Sequence, residues 1–318
     1  MKGLGIGIHH IALLSSIFSS QIFKIRYCKS RRIVLQYGGI GNMPDRNETT
    51  TIFDRYTEAF MGMICNLHAH TFRCNHASGT EREYIENAVA AGLKVYGFAD
   101  HAPYPFPPEH RSGFRMRCDQ QEDYVNTLLG LREEYKGIID IKIGYEAEYY
   151  PKFFGDFLAM IRQYPIDFLI LGQHYLENEM EGKYSGRTVT DEAYLSQYVD
   201  QVCEAIGTGV YTYVAHPDLV NFVGEPAFFD KHYSRLIECA KAHDTPLEIN
   251  LLGVRDHRAY PHDRFFELCG EIGAPVCIGS DAHQAEVAVD APSYDKAMEM
   301  AERFGLNVIA MPELKPVR

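Results

Sequence analysis

The 318-residue sequence lacks any apolar run of transmembrane length, and it lacks an excess of positive charge. The first absence argues against a membrane-spanning protein. The formal net charge is −12, from 31 basic and 43 acidic residues, whereas a protein whose main partner is nucleic acid needs positive charge to neutralise phosphates. Hydrophobic side chains make up 46% of the chain, which suits a folded core. We expect a globular protein with neither a membrane nor a nucleic acid as its main partner.

Paired-cysteine motifs are also missing. The eight cysteines include no Cys-x-x-Cys pair, and several lie in apolar stretches where a thiol packs as a small hydrophobic group. A reduced, cytoplasmic protein is expected. The sequence contains no G-x-S-x-G turn and no Walker A motif, so the corresponding hydrolase and nucleotide-binding classes are poorly supported.

Residues 1–62 differ from the rest of the chain. Among the first 60 residues, eight Lys/Arg stand against four Asp/Glu, and the polar run from Asn42 to Thr51 shows no sustained periodicity. Met61 and Met63 directly precede the first strand-like segment. We predict that residues 1–62 are an N-terminal extension, either poorly ordered or the product of a misassigned start. Residues 63–318 are then the functional domain.

Strand-like and helix-like segments alternate from residue 63 onward. The predicted strands span residues 64–68, 94–100, 138–146, 167–173, 210–215, 246–250, 275–280 and 306–310. The predicted helices span residues 80–91, 120–136, 152–163, 190–207, 226–243, 262–272 and 292–303. The first helix opens on a capping box formed by Thr80 and Glu83. This alternation implies a parallel sheet, and the number of units favours an α/β barrel with its active site at the carboxyl ends of the strands.

Potential metal ligands recur where the predicted strands end. His68 and His70 follow the first strand at positions i and i+2, which point the same way. The other candidates are His76, His101, Glu146, His174, His216, Asp281 and His283. Barrel strand ends converge on one rim, and imidazoles with carboxylates suit Zn, Mn or Fe. Glu148 shares a face with Glu146, but lies one step beyond the strand end, so we prefer Glu146 as the ligand.

Nine ligands exceed what one ion can use, so several ions are expected. Their positive charge would exceed that of the two carboxylates, and the excess suits an anionic phosphate ester. Guanidinium groups offer forked donors to phosphate. Arg115 and Arg117, in a proline-rich loop, and Arg255, after the strand at residues 246–250, are the substrate-side candidates.

Together these motifs resemble those of the polymerase and histidinol phosphatase (PHP) superfamily, from about residue 63 to the C-terminus. Asp100-His101-Ala102-Pro103, Arg115-Met116 and Leu247-Glu248-Ile249-Asn250 with Arg255 resemble the histidinol-phosphate phosphatase branch. One position departs from that branch: the chain has Asn221 where its phosphatases often have a basic residue.

The resemblance implies a distorted (β/α)7 barrel that holds three divalent metal ions, whether Mn, Fe or Zn. One ion would bind His68, His70, Glu146 and Asp281; a second would share Glu146 and add His174 and His216; a third would bind His76, His101 and His283. Glu146, Asp281 and His283 are the expected catalytic residues. A metal-bridging hydroxide would attack phosphorus. The leaving group would be protonated by a metal-edge Asp or His, or by water.

The expected activity is hydrolysis of L-histidinol phosphate to L-histidinol and phosphate, a step of histidine biosynthesis. Three alternatives stay open: a PHP phosphoesterase acting on nucleotides or another small phosphate ester, a nuclease module, and a non-catalytic metal-binding regulator. The sequence does not indicate an oligomeric state.

Overall fold

The computed structural model of the protein describes residues 62–317 and, further upstream, the backbone of two strands. These strands, β1 (Ile22–Tyr27) and β2 (Ile33–Gly38), form an antiparallel pair with Ile22 opposite Gly38. The chain divides into two compact units, Met1–Met61 and Gly62–Arg318. The rest of the expected N-terminal extension, apart from Gly62, lies outside the described residues.

The second unit alternates strands with helices. Its strands are β3 (Cys65–Asn66), β4 (Val95–His101), β5 (Asp140–Ala147), β6 (Phe168–Leu171), β7 (Thr188–Val189), β8 (Tyr211–Val214), β9 (Asn221–Phe222), β10 (Leu247–Asn250), β11 (Pro275–Gly279) and β12 (Asn307–Val308). Its α-helices are α1 (Glu81–Ala90), α2 (Gln121–Glu134), α3 (Phe154–Ile161), α4 (Glu192–Gly207), α5 (Pro226–Ala242), α6 (Leu251–Asp256), α7 (Asp263–Ile272) and α8 (Ala291–Phe304). None of these helices combines the length and apolar character needed to cross a bilayer.

Eight parallel strands form one sheet in the order β12-β11-β10-β8-β6-β5-β4-β3. Beyond the ends of β3 and β11 the sheet closes on itself through a parallel bridge between Ala69 and Ala282. The amide of His70 donates to the carbonyl of Ala282 at 2.9 Å. Seven strands thus enclose a distorted barrel, while β12 pairs with β11 outside the ring. The predicted α/β barrel fold is confirmed.

The barrel interior is a hydrophobic cluster. It contains Cys65, Leu67, Val95, Ala99, Phe168, Ile170, Tyr213, Ala215 and Cys277. Leu314, near the C-terminus, packs against this cluster, and the nearby Lys315 donates to the Thr245 hydroxyl at 2.6 Å. The C-terminal segment therefore covers apolar surface of the barrel and leaves the strand ends of the other rim free.

All eight predicted strands and all seven predicted helices are present, with shifts of a few residues at their ends. The capping box is confirmed: Thr80 accepts from the amide of Glu83, and Glu83 accepts from the amide of Thr80 at 2.7 Å. Sequence analysis missed α6, which is only six residues long, and the two-residue strands β7 and β9. Segments this short carry no measurable periodicity.

Small residues are required where large rings fill the barrel. A Cβ at Gly144 would lie 2.6 Å from the ring of Phe168. We predict that Gly144→Ala lowers the free energy of unfolding by about 1–3 kcal/mol because the core is overpacked. Gly130, at mid-helix in α2 with open space around it, is the control: Gly130→Ala should raise stability by about 0.5–1 kcal/mol. Urea denaturation measures both, and equal stability of the two variants would contradict the packing argument.

Candidate metal centre

The nine predicted ligands meet at one rim of the barrel. Strand alternation explains part of this, because side chains at positions i and i+2 of a strand lie on the same face. His101 therefore shares the face of Ala99 on β4, and Glu146 shares the face of Gly144 on β5. Each of the nine belongs to at least one group of three residues whose ligand atoms lie within 4.8 Å of one another. These groups are His76–His101–His283, His68–His216–Asp281, His68–His70–Glu146 and His101–Glu146–His174.

Glu146 lies at the centre of the rim and is 1% exposed. Its carboxylate is 2.8 Å from Nε2 of His216, 3.0 Å from Nδ1 of His101 and 3.4 Å from Nε2 of His174. Nε2 of both His68 and His70 lies at 3.7 Å. Gly172 makes room for this carboxylate, since a Cβ at Gly172 would overlap Oε1 of Glu146. One carboxylate therefore faces five imidazoles.

Asp281 forms a second focus of the rim, and it shares the imidazoles of His68 and His70 with Glu146. Its Oδ1 is 3.2 Å from Nε2 of His70, 3.3 Å from Nδ1 of His283 and 3.6 Å from Nε2 of His68. The backbone of Asp281 has φ +46°, and that of His216 has φ +30°. Positive φ is rare for residues other than glycine and recurs at functional sites. Two candidate ligands thus occupy strained backbone positions.

The outermost imidazoles belong to His76 and His283. Their Nε2 atoms lie 2.9 Å apart, and Nδ1 of His76 is 2.8 Å from the carbonyl of Cys74. The thiol of Cys74 also lies within 4.8 Å of ring nitrogens of His70 and His283, a proximity that sequence analysis missed. Burial raises the pKa of this thiol, and a protonated thiol is a poor metal ligand.

A layer of buried carboxylates lies behind the imidazoles. Glu248 is 2.8 Å from Nδ1 of His68, and Glu148 is 3.0 Å from Nδ1 of His174. Asp100 lies 3.6 Å from Nδ1 of His70. Such carboxylates fix the tautomer and the orientation of a ligating histidine. They leave Nε2 of each ring pointing toward the centre.

The sequence alone assigns no role to Glu248, although the segment at residues 247–250 that contains it resembles the histidinol-phosphate phosphatase branch. A charged residue between the apolar neighbours Leu247 and Ile249 of a buried strand was the available signal. The structure also shows that Glu148, considered as a competitor of Glu146, contacts His174 from behind rather than facing the centre.

Several buried polar atoms at the centre have no hydrogen-bond partner. They are Nε2 of His68, both ring nitrogens of His70 and Nδ1 of His216, while Nδ1 of His101 and Oε2 of Glu146 approach each other at 3.0 Å without the geometry of a hydrogen bond. Buried polar atoms in proteins are nearly always paired, so this concentration of orphaned nitrogen and oxygen atoms fits bound cations. Ligands of this type suit Zn, Mn or Fe.

The electrostatics of the rim also favour cations. Burial alone would raise the pKa of Glu146, but the surrounding imidazoles, chiefly that of His174, hold it well below its ordinary value. Burial alone would also raise the pKa of Asp281, but the neighbouring imidazoles, chiefly that of His68, hold it well below its ordinary value. Burial and the neighbouring His70 lower the pKa of His283 to about 3. Burial lowers the pKa of His70, but Asp100 and Asp281 raise it overall to about 9. Metal binding needs charged carboxylates and neutral imidazoles, so bound cations would displace protons from such imidazoles.

The rim opens into a cavity of about 630 Å³. Besides seven of the nine predicted ligands, its walls include two arginines, Arg255 and Arg258, and aromatic rings. These rings are Phe114, Tyr175, Tyr184 and Tyr260. Sequence analysis missed Arg258 and the rings, because they lie in loops and near the unpredicted helix α6.

Of the three predicted substrate-side arginines, only Arg255 lines this cavity, where Asp290 holds its Nη1 at 2.6 Å. Arg115 is 2% exposed and its donors are taken by Glu148, Glu179 and the Ala102 carbonyl. Arg117 is exposed and pairs with Asp119 at 2.9 Å. Asn221, the departure from the phosphatase pattern, does not line the cavity either. Its side chain donates to Thr188 at 2.8 Å.

Fold and site together define a class of protein, an α/β barrel with a histidine- and carboxylate-rich metal centre at its strand ends. The family model of the PHP domain matches residues 66–251. The chain belongs to the PHP domain family.

Named relatives agree with this membership. The chain is 29% identical over 232 residues to a Deinococcus radiodurans protein named "Probable histidinol-phosphatase", covering 70% of this chain and 86% of that one. It is 28% identical over 248 residues to the histidinol-phosphatase of Bacillus subtilis, covering 69% and 92%. A crystal structure of histidinol phosphate phosphatase from Lactococcus lactis, complexed with zinc, L-histidinol and phosphate, matches the fold with a TM-score of 0.62 at 20% identity. The match covers 78% of this chain and 95% of that one.

The carboxylates behind the imidazoles should set the metal affinity. We predict that Glu248→Gln weakens Zn²⁺ or Mn²⁺ binding by about 10- to 100-fold, because His68 loses its charged orienting partner. Competition with a chromophoric chelator measures the dissociation constants. Glu267→Gln, on the exposed face of α7, removes a carboxylate remote from the rim and should leave them unchanged. Equal affinities for the two variants would contradict an orienting role for Glu248.

Proposed function

We propose that this enzyme hydrolyses L-histidinol phosphate to L-histidinol and phosphate. Its family and its histidinol-phosphatase relatives make it a metal-dependent phosphatase. The observation that carries the substrate proposal is the cavity, which joins a cation-attracting rim to arginines and aromatic rings. In a phosphate ester with a cationic aromatic leaving group, the phosphate would suit the rim and the arginines, and the leaving group would suit the aromatic rings.

For the metal centre we propose three divalent ions, with Mn, Fe or Zn as candidates. The first would be held by His68, His70, Glu146 and Asp281, the second by Glu146, His174 and His216, and the third by His76, His101 and His283. Two of the close-packed triads fall within these sets, His68–His70–Glu146 and His76–His101–His283. Glu146 lies within 4 Å of imidazoles from all three sets, as a shared ligand requires.

Divalent ions bound at this rim would supply positive charge to the phosphoryl oxygens and would lower the pKa of water toward neutrality. The protein's own groups then bind and orient the ester. Arg255, fixed by Asp290, and Arg258, 3.0 Å from the hydroxyl of Tyr260, present guanidinium donors on the cavity wall. The loose transition state of phosphoryl transfer spreads negative charge over the equatorial oxygens, where such donors stabilise it.

The departing alkoxide needs a proton. Asp281 and His283 both line the cavity, but the lowered pKa of each group leaves neither with a proton to donate near neutral pH, so solvent water is the favoured donor. The aromatic rings of Tyr175, Tyr184 and Tyr260 would contact the leaving group, whose imidazole and ammonium suit ring faces through stacking and cation–π attraction.

The rival substrate class is a nucleotide or another small phosphate ester, because the same rings can stack on a base. Values of kcat/KM for a panel of phosphate esters, measured on the metal-loaded protein, separate the two. We expect L-histidinol phosphate to rank first. A place among the poorest substrates would end the histidinol phosphate proposal. In the same assay Glu146→Gln should reduce kcat by at least about 10²-fold, the scale of one lost transition-state interaction, and near wild-type turnover would contradict the shared-ligand role.

Phosphate recognition by Arg255 gives a separate prediction. Arg255→Gln should raise the inhibition constant of inorganic phosphate by about ten-fold, the order expected for a lost charge-assisted hydrogen bond. Arg82→Gln is the matched control, because Arg82 also forms an ion pair, with Glu134 at 2.6 Å, but lies on an exposed helix. Identical inhibition constants for the two variants would exclude Arg255 from the phosphate site.

A further inference from the structure

The loop between β6 and β7, residues 172–187, forms one side of the cavity. It contributes Tyr175 and Tyr184 to the wall, and these two residues form an antiparallel bridge. The loop is continuous with His174, whose carbonyl accepts from the amide of Ser185 at 2.7 Å. The position of this loop therefore sets both the shape of the cavity and the surroundings of a candidate metal ligand.

Glu179 fastens the tip of this loop to the neighbouring proline-rich loop. Its side chain is 6% exposed and accepts from Nε of Arg115 at 2.7 Å. It also lies 3.1 Å from Nε2 of His110. A buried carboxylate with a charged partner is a strong and directional attachment, unlike the exposed ion pairs elsewhere on the surface.

The two terminal nitrogens of the Arg115 guanidinium contact a carboxylate that lies behind the candidate metal centre. Its Nη1 and Nη2 donate to the two carboxylate oxygens of Glu148 at 3.0 and 2.9 Å. Glu148 in turn contacts Nδ1 of His174 at 3.0 Å. The guanidinium also stacks 4.4 Å from the ring centroid of Phe114, another wall of the cavity.

We propose that Arg115 and Glu179 are positioning residues that hold the 172–187 loop in the substrate-binding arrangement, while the Glu148 edge of Arg115 holds His174. This inference deepens the proposed function and rests on it for the identity of the substrate. It assigns Arg115 a role behind the cavity wall instead of the direct phosphate contact expected from the sequence. Loss of the Glu179 contact should loosen the aromatic wall and leave the metal centre intact.

Glu179→Gln tests the loop side alone, because Glu148 and His174 keep their partners. The expected result is a KM for L-histidinol phosphate raised about ten-fold with kcat within about two-fold of wild type, the pattern of lost binding that is equal in ground and transition states. Metal content by elemental analysis should not change. Amide hydrogen exchange over residues 175–185 of the metal-loaded full chain should accelerate about ten-fold as the attachment weakens.

Glu181→Gln is the matched control. Glu181 lies in the same loop and pairs with Lys152 at 2.8 Å, but its side chain is 52% exposed and does not contact Arg115. It should match wild type in KM and in exchange. If Glu179→Gln proves unstable, Glu179→Asp keeps the charge and withdraws it by one methylene, and the same measurements apply.

Two results would overturn the proposal: equal behaviour of the Glu179 and Glu181 variants, or a loss of metal and kcat without a change in KM. Failure of the proposed function is a different outcome. If the wild-type protein does not hydrolyse L-histidinol phosphate, the exchange rates of the loop still decide whether Glu179 fastens it.

Discussion

Negative charge buried at the rim of the barrel is the constraint on which the rest of the site depends. Glu146, Glu148, Glu248 and Asp281 are each less than 5% exposed, and an uncompensated buried carboxylate is costly. Glu148 has the guanidinium of Arg115 as its partner, whereas Glu146 and Asp281 face imidazoles. Positive charge must compensate these carboxylates, either as protons on the facing imidazoles or as bound metal ions, so metal binding is linked to the free energy of folding.

The backbone is shaped to bring these charges together. Gly172 and Gly279 leave space for the carboxylates of Glu146 and Glu248, which a Cβ at either position would overlap. His216 and Asp281 adopt positive φ where their strands end, and the amide of His216 is held by Glu248 at 3.0 Å. The interactions of the rim therefore stabilise local strain that the isolated strands would not tolerate.

The barrel and the convergence of the nine candidate ligands could be predicted from the sequence because both follow from local rules. Strands of four or more apolar residues, alternating with amphipathic helices, imply parallel pairing, and parallel pairing places every strand end at the same rim. Arg115 shows where this reasoning stops. Its ion-pair partners Glu148 and Glu179 are 33 and 64 residues away, so no local pattern could show that its guanidinium is already engaged. Arg258 was missed for a related reason, since it follows a helix too short to be periodic.

The two halves of the site are consequently built from different parts of the fold. Most of the candidate metal ligands lie at strand ends, where the hydrogen-bonded sheet fixes their spacing, while the arginines and aromatic rings of the cavity come from loops after β4, β6 and β10. Loops tolerate substitution better than sheet positions do, so a barrel of this kind can change its substrate without disturbing its metal chemistry. The Arg115 network limits that independence, because one guanidinium contacts both a carboxylate of the metal centre and a carboxylate of the loop that carries Tyr175 and Tyr184. A substitution of Glu179 would remove this link directly, because its carboxylate is the group of the loop that accepts from Arg115.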